Sequence, residues 1–131
     1  MNILDNFIYS KVSRVLRIMN FLFLTFMMPF IFTAERDVNE VWCLNNGGND
    51  NYRTDDDTYV DCLTDKYAIE AEYDYNWKEA IGQALHYAES TNRKAGILFI
   101  KRAESGKDYH GQMMRVINKY KLPIEIFVVE E

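Results

Sequence analysis

Histidine and cysteine are scarce, with two of each in 131 residues. Neither pair falls at the spacing of a structural zinc site. The chain has no phosphate-cradling glycine loop and no nucleophile elbow, which argues against P-loop nucleotide hydrolysis and against serine hydrolysis. It offers no motif for a small-molecule cofactor. Positive charge is also short: 15 Lys and Arg stand against 20 Asp and Glu, for a net charge of −5. Broad, sequence-blind binding to nucleic acid draws on neutralised phosphates, so this balance leaves room only for a local basic patch. No apolar run reaches the roughly 20 residues of a membrane-spanning helix, and there is neither an internal repeat nor a low-complexity segment. What the chain does have is 48% hydrophobic and 15% aromatic residues, enough to build the core of one small domain.

The apolar residues are unevenly spread. Ile18 to Phe32 is almost wholly apolar and follows Lys11, Arg14 and Arg17, the charged-then-apolar order of an export signal. Residues 1–34 are therefore expected to form a signal peptide cleaved after Ala34 or, in the competing reading, an uncleaved N-terminal anchor; a buried core helix is a third reading. Either of the first two places a single domain, residues 35–131, outside the cytoplasm: periplasmic, secreted, or held at the inner membrane through residues 1–34 alone. That domain holds 12 Lys and Arg against 19 Asp and Glu, a net of −7. Cys43 and Cys62 both lie in it. In an oxidising compartment an even count favours a disulfide, contributing about 3 kcal/mol to a small domain, whereas two buried free thiols are the alternative.

The periodicities give an α/β domain with a mixed sheet, in the order α-β-β-β-α-β-α-β. Glu35 to Asn45 has the spacing of a short helix, stopped by Asn45-Asn46-Gly47-Gly48. Asn51 to Thr54 is a weak strand, Asp55 to Asp57 a turn, and Thr58 to Leu63 and Lys66 to Tyr73 are strands joined at Thr64-Asp65. Asn76 to Asn92 is helical, with Asp74 or Asn76 as its cap and with Gly82 hinting at close packing. Lys94 to Lys101 reads as a central strand, about Lys107 to Tyr120 as a helix with Met113, Met114, Ile117 and Tyr120 on one side, and Leu122 to Val129 as a last strand. A helical crossover makes the last two strands parallel.

With Thr64 and Asp65 as the turn, Val60, Cys62, Tyr67, Ile69, Ala71 and Tyr73 share one face. Asp61, Ala68, Glu70 and Glu72 share the other. Asp61 then lies diagonal to Glu70. Glu79, Gln83, His86 and Tyr87 share a side of the following helix, from which they can meet these acids. Clustered carboxylates repel unless they share a proton or a cation, and hard oxygen donors suit Mg²⁺ or Mn²⁺, which activate water for phosphodiester hydrolysis. The opposing reading is the solvated side of an ordinary hairpin.

These residues resemble the PD-(D/E)XK, or restriction-endonuclease-like, nuclease superfamily. The resemblance rests on the element order, on Val60-Asp61, on Ile69-Glu70-Ala71-Glu72 and on Gln83-Ala84-Leu85-His86-Tyr87. Trp42-Cys43, Val60 to Thr64 and Trp77 to Gln83 are similar to a group of small exported bacterial proteins with such domains. The resemblance covers residues 35–131. It implies that Asp61 and Glu70 bind a divalent metal, Mg²⁺ or Mn²⁺, and that Gln83 and Tyr87 match the glutamine and tyrosine of exonuclease-type members, with Glu72, Glu79 and Gln83 as assisting candidates. The departure is Glu72, which stands where the superfamily has a lysine. Lys78 and Lys66 are the substitutes at hand, but Lys78 lies off the Gln83 side of its helix and Lys66 sits at the turn.

The remaining polar residues read more simply. His86 is a partly exposed helical histidine, His110 is weaker still as a functional residue, and Asp55-Asp56-Asp57 is a polar turn without calcium-loop spacing. Lys94, Lys101, Arg102 and Lys107 flank the ends of the central strand, where they either steer phosphates or are ordinary solvated charges. The expectation is thus an exported, metal-dependent nuclease-like domain acting on nucleic acid, or one that has lost the chemistry. Its rival is a non-catalytic periplasmic binding or envelope protein whose acidic face meets a basic partner.

Overall fold

The structure is a computed structural model that describes residues 38–131. The expected signal or anchor, residues 1–34, lies outside the described residues. Among these, no helix is long and apolar enough to cross a membrane.

Residues 38–45 are helical (α1), followed by strands β1 (Asn49–Arg53), β2 (Tyr59–Leu63) and β3 (Tyr67–Tyr73). A 3-10 turn, Asp74–Asn76, leads into helix α2 (Trp77–Thr91). Strand β4 (Lys94–Lys101), helix α3 (Tyr109–Tyr120) and strand β5 (Ile124–Glu130) complete the chain. The sheet runs β1-β2-β3-β4-β5 in space. The first three strands are antiparallel, while β3 with β4 and β4 with β5 are parallel. This is the expected α/β architecture and element order.

Both faces of the sheet are covered, which is why β4 is apolar throughout. On one face Ala95, Ile97 and Phe99 of β4 pack with Trp77, Ala80 and Ala84 of α2 and Met113 and Ile117 of α3. On the other, Leu98 and Ile100 pack with Ile69, Ala71 and Tyr73 of β3 and the two cysteines, with Val38 and Trp42 of α1 and Phe127 and Val129 of β5 around them. Two successive parallel crossovers of the same hand put α2 and α3 on a single side. Tyr120, expected on the buried side of α3, is 65% exposed.

Cys43 and Cys62 form a disulfide that ties α1 to β2 across 19 residues of chain. Gly48 donates its N–H to Cys43 O at 2.9 Å, and a methyl group on it would fall on both sulfurs. Only glycine lets the chain pass this close to the bond.

Several local expectations are corrected. The hairpin turn is Asp65-Lys66, since Thr64 N–H donates to Tyr67 O at 2.9 Å and the ladder pairs Leu63 with Ala68 and Cys62 with Ile69. The Thr64 hydroxyl accepts from Tyr67 N–H at 2.9 Å, which closes the turn one residue later than Thr64-Asp65. Continuing that count sets Asp61 opposite Glu70 and not diagonal to it. Neither Asp74 nor Asn76 caps α2. The Asn76 amide donates instead to Glu72 Oε1 at 3.0 Å, and Asp74 is buried beneath Arg102, whose Nε donates to it at 2.8 Å. Gly82 does not mark close packing, because a Cβ there meets nothing within 4 Å.

Two substitutions test these glycines. Gly82→Ala is expected to raise stability by up to about 1 kcal/mol, the helix-propensity gain at an exposed position, read as a higher midpoint in urea. Gly48→Ala should lower the midpoint and, in a non-reducing thiol assay, leave a fraction of the chains with Cys43 and Cys62 unpaired.

Candidate functional site

The site begins where β2 leaves its neighbours. The β1–β2 ladder pairs Asp50 with Cys62 and Tyr52 with Val60 but skips Asn51 and Asp61 between them. Asn51 there takes a left-handed conformation, φ 53°, which asparagine tolerates better than most residues. Side-chain alternation breaks at this point. Val60 packs with Ala68 and Tyr87, whereas Cys62 packs with Ile69 on the opposite face, so the expectation that Val60 and Cys62 share a face is corrected. Irregularities of this kind re-aim a side chain. Here the re-aimed side chain is Asp61, whose Oδ2 accepts the backbone N–H of Ala71 at 2.8 Å.

Asp61 interacts with the side chain of Glu70. Glu70 is only 5% exposed. Glu70 therefore does not sit on a wet side of the hairpin, and Asp61 and Glu72 beside it are half-buried. Burial in the first place, with the charge of Asp50 adding, pushes the Asp61 carboxyl above its ordinary value, while the Ala71 N–H and Glu70 oppose the shift.

Around this pair stand the other expected residues. Glu72 accepts from Tyr73 N–H and the Asn76 amide, both at 3.0 Å. Burial raises its carboxyl, and Glu79 and Asp61 add to the rise. Tyr87 is buried, and its hydroxyl is pushed up to about 12 by burial first and then by the charges of Glu70 and Asp61; Gln83 donates a hydrogen bond to it. The structure thus brings Asp61, Glu70, Glu72, Glu79, Gln83 and Tyr87 into one interacting group. Lys78 is outside it, with its ammonium 5.8 Å from the Trp77 ring centroid. Lys66 stands over Tyr67 at the turn. No lysine or arginine figures among the groups that shift Asp61, Glu72 or Tyr87.

Two neighbours were not legible as parts of the site. Asn39 of α1 donates to Asp50 Oδ1 at 2.8 Å and to Asp61 O at 2.9 Å, pinning the kink from the far side. Asp56 is more than a turn residue: it takes the hydroxyls of Thr54 and Thr58 and contacts His86 Nε2 at 2.6 Å. These bonds, led by that from Thr54, hold its carboxyl far below the usual range. The β1–β2 loop is thereby strapped to α2 one residue from Tyr87. Only the spacing of Thr54, Asp56 and Thr58 could have signalled it.

Neighbouring carboxylates, one buried and one half-buried, are hard oxygen donors of the kind that hold Mg²⁺ or Mn²⁺. Among the described residues no three His, Cys, Asp or Glu side chains are arranged around a common metal position. A pair still fits Mg²⁺, which is commonly held by one or two carboxylates together with waters and substrate phosphates.

The fold and the site define an α/β domain with a partly buried acidic cluster between a kinked hairpin and a helix. No family model matches the chain, and no solved structure matches it. Over 69 residues, 53% of its length, the chain is 33% identical to a KilA-N domain-containing protein of Acanthamoeba polyphaga mimivirus. The chain spans 19% of that protein's length.

The raised Asp61 carboxyl has a consequence for stability. Its charged form is disfavoured on folding, so its contribution is full below the ordinary pKa of 3.8 and is lost as pH rises through the elevated folded value. Asp61→Asn, which keeps the Ala71 contact without a charge, should abolish that loss. In a chelator, the wild-type melting temperature should fall relative to the variant as pH is raised from about 4 to 7; parallel profiles would refute the assignment.

Proposed function

We propose that this domain is a divalent-metal-dependent nuclease of the PD-(D/E)XK type, exported from the cell, in which Asp61 and Glu70 hold Mg²⁺ or Mn²⁺. The single observation that carries the reading is the interaction of half-buried Asp61 with buried Glu70 beside acidic neighbours. A solvated hairpin face has no reason to bury a carboxylate pair, since each charge taken out of water is costly unless something compensates it. The compensating charge does not come from a lysine or arginine of the group.

Bound there, the cation would neutralise phosphate charge and lower the pKa of a coordinated water. The protein's own part is positional. The Ala71 N–H fixes the Asp61 carboxylate, the paired strands fix Glu70, and Asn76 orients Glu72. Glu72, raised toward neutrality, is suited to accept a proton from attacking water, the work a lysine-bearing relative assigns differently. Gln83 and Tyr87 present a donor pair from α2 for substrate oxygens.

The Cys43–Cys62 disulfide supports an oxidising compartment. The similarity to a KilA-N domain-containing protein is compatible with a nucleic-acid-related role.

The test is direct. Purified residues 35–131 with Mg²⁺ or Mn²⁺ are expected to cleave single- or double-stranded DNA or RNA, and calorimetry should show metal uptake. Asp61→Ala and Glu70→Gln should each reduce cleavage by at least about 100-fold, the range seen when a group that stabilises the transition state is removed. Intact substrates in both metals, together with no heat of metal binding that Asp61→Ala removes, would refute the nuclease.

A further inference from the structure

The described residues carry 11 Lys and Arg against 17 Asp and Glu, and their cations are unevenly used. Arg53, Lys101, Arg102 and Arg115 are each ion-paired with a carboxylate. The other seven make no ion pair within 4 Å with another described residue, and five of those, Lys66, Arg93, Lys94, Lys119 and Lys121, gather at one end of the sheet. Lys66 ends the turn into β3, Arg93 and Lys94 open β4, and Lys119 and Lys121 close α3 just ahead of β5. Backbone pairing brings them together: Lys94 N–H donates to Lys66 O at 3.0 Å, and Ala95 pairs with Ile124. All five are exposed. The acids at this end are Asp65, Glu89 and Glu125, so the end is locally positive on an acidic domain.

A cleft of about 620 Å³ opens among these cations. Its walls are mainly apolar, with Leu85, Ala88, Leu122, Pro123, Ile124 and the ring of Tyr67, and Arg93 and Lys94 stand in its lining with Glu125. Apolar walls beside unpaired cations match a ligand that is itself half apolar and half anionic. An unstacked base with its phosphate has that character, and a base inside a duplex does not. Lys66 precedes Glu70 by four positions, about 13 Å along a strand at about 3.3 Å per residue. A bound strand could therefore reach from this end to the acidic pocket.

We propose that the end of the sheet where β3, β4 and β5 begin grips the phosphates of single-stranded nucleic acid, with the cleft taking a base. This rests on the proposed nuclease for its biological sense, but the binding is separable from metal and cleavage.

Fluorescence anisotropy in EDTA, with a labelled oligothymidylate of about 15 nucleotides, tests it. Wild-type protein should bind, with log K falling against log salt at a slope of about −3.5, from about 0.7 per neutralised phosphate on a single strand. The triple variant Lys66→Glu, Arg93→Glu, Lys94→Glu should bind at least about tenfold more weakly with a slope shallower by about 2. The milder Arg93→Gln, Lys94→Gln, checked for an unchanged melting temperature, should lose a part of both. Asp61→Ala should bind as wild type does. No binding by wild type, or equal binding by folded charge variants, overturns the proposal. So does displacement of the oligonucleotide by an equal concentration of polyglutamate, which would assign the surface to an acidic protein segment. If cleavage and metal uptake are absent while the basic end binds as described, the nuclease reading alone falls; if the nuclease is active and the charge variants bind normally, this inference alone falls.

Discussion

The bond between the Asp61 carboxylate and the Ala71 N–H is the constraint on which the site depends. It replaces a backbone ladder contact with a side chain at the point where β2 departs from β3. A buried N–H must find an acceptor, and once Asp61 supplies it the rest follows. The hairpin kinks at Asn51, Val60 changes faces to meet Tyr87, and the Asp61 carboxylate comes to rest against Glu70. A regular hairpin would have kept the same residues and left their carboxylates in water.

The scaffold holds this kink from both sides. On one face the disulfide fixes Cys62, one residue from Asp61, to α1, and Asn39 of that helix bonds the Asp61 carbonyl. On the other face α2 is anchored by buried Trp77 and Ala80 and tethered to the β1–β2 loop through His86 and Asp56. At the start of α2, Arg102 bonds buried Asp74 and lies 4.4 Å from the ring centroid of Tyr75. Acids that repel one another stay together because the elements bearing them are fixed independently. That is how a folded protein holds a costly local arrangement.

Much of the frame was legible in the sequence and its decisive details were not. The ends of strand β4 follow from the sequence, because an apolar run bounded by two lysines, eight residues with them, has few other solutions. The buried stripe of α2 followed from spacing alone. The turn residues were off by one because Thr64 is equally good inside a turn or, as here, closing it with its hydroxyl. Alternation failed at Asp61 because it assumes a regular pleat, and only the left-handed Asn51 betrays the break. The cap of α2 was misjudged since Asn76 has a better partner in Glu72 than in its own helix. Asp61, Glu70 and Glu72 were correctly grouped on one face, yet their burial was invisible: alternation says which side a residue takes and not what covers it.

Glu72 is where these lines meet. A lysine in its place would sit among Asp61, Glu79 and the Asn76 amide and would neutralise the pocket from within. With glutamate there, Glu79 and Asp61 add to the rise that burial gives the Glu72 carboxyl, and the group gains negative charge where a lysine would have removed it. The unpaired cations lie instead at the far end of β3 and β4, too distant to relieve the acids but exposed to solvent. Charge in this domain is therefore segregated along the strands, with an anionic pocket near their middle and a cationic rim at their start. Screening reduces long-range attraction across about 10 Å at ordinary salt, so the two regions act as separate sites. A polyanion approaching the pocket directly would be repelled.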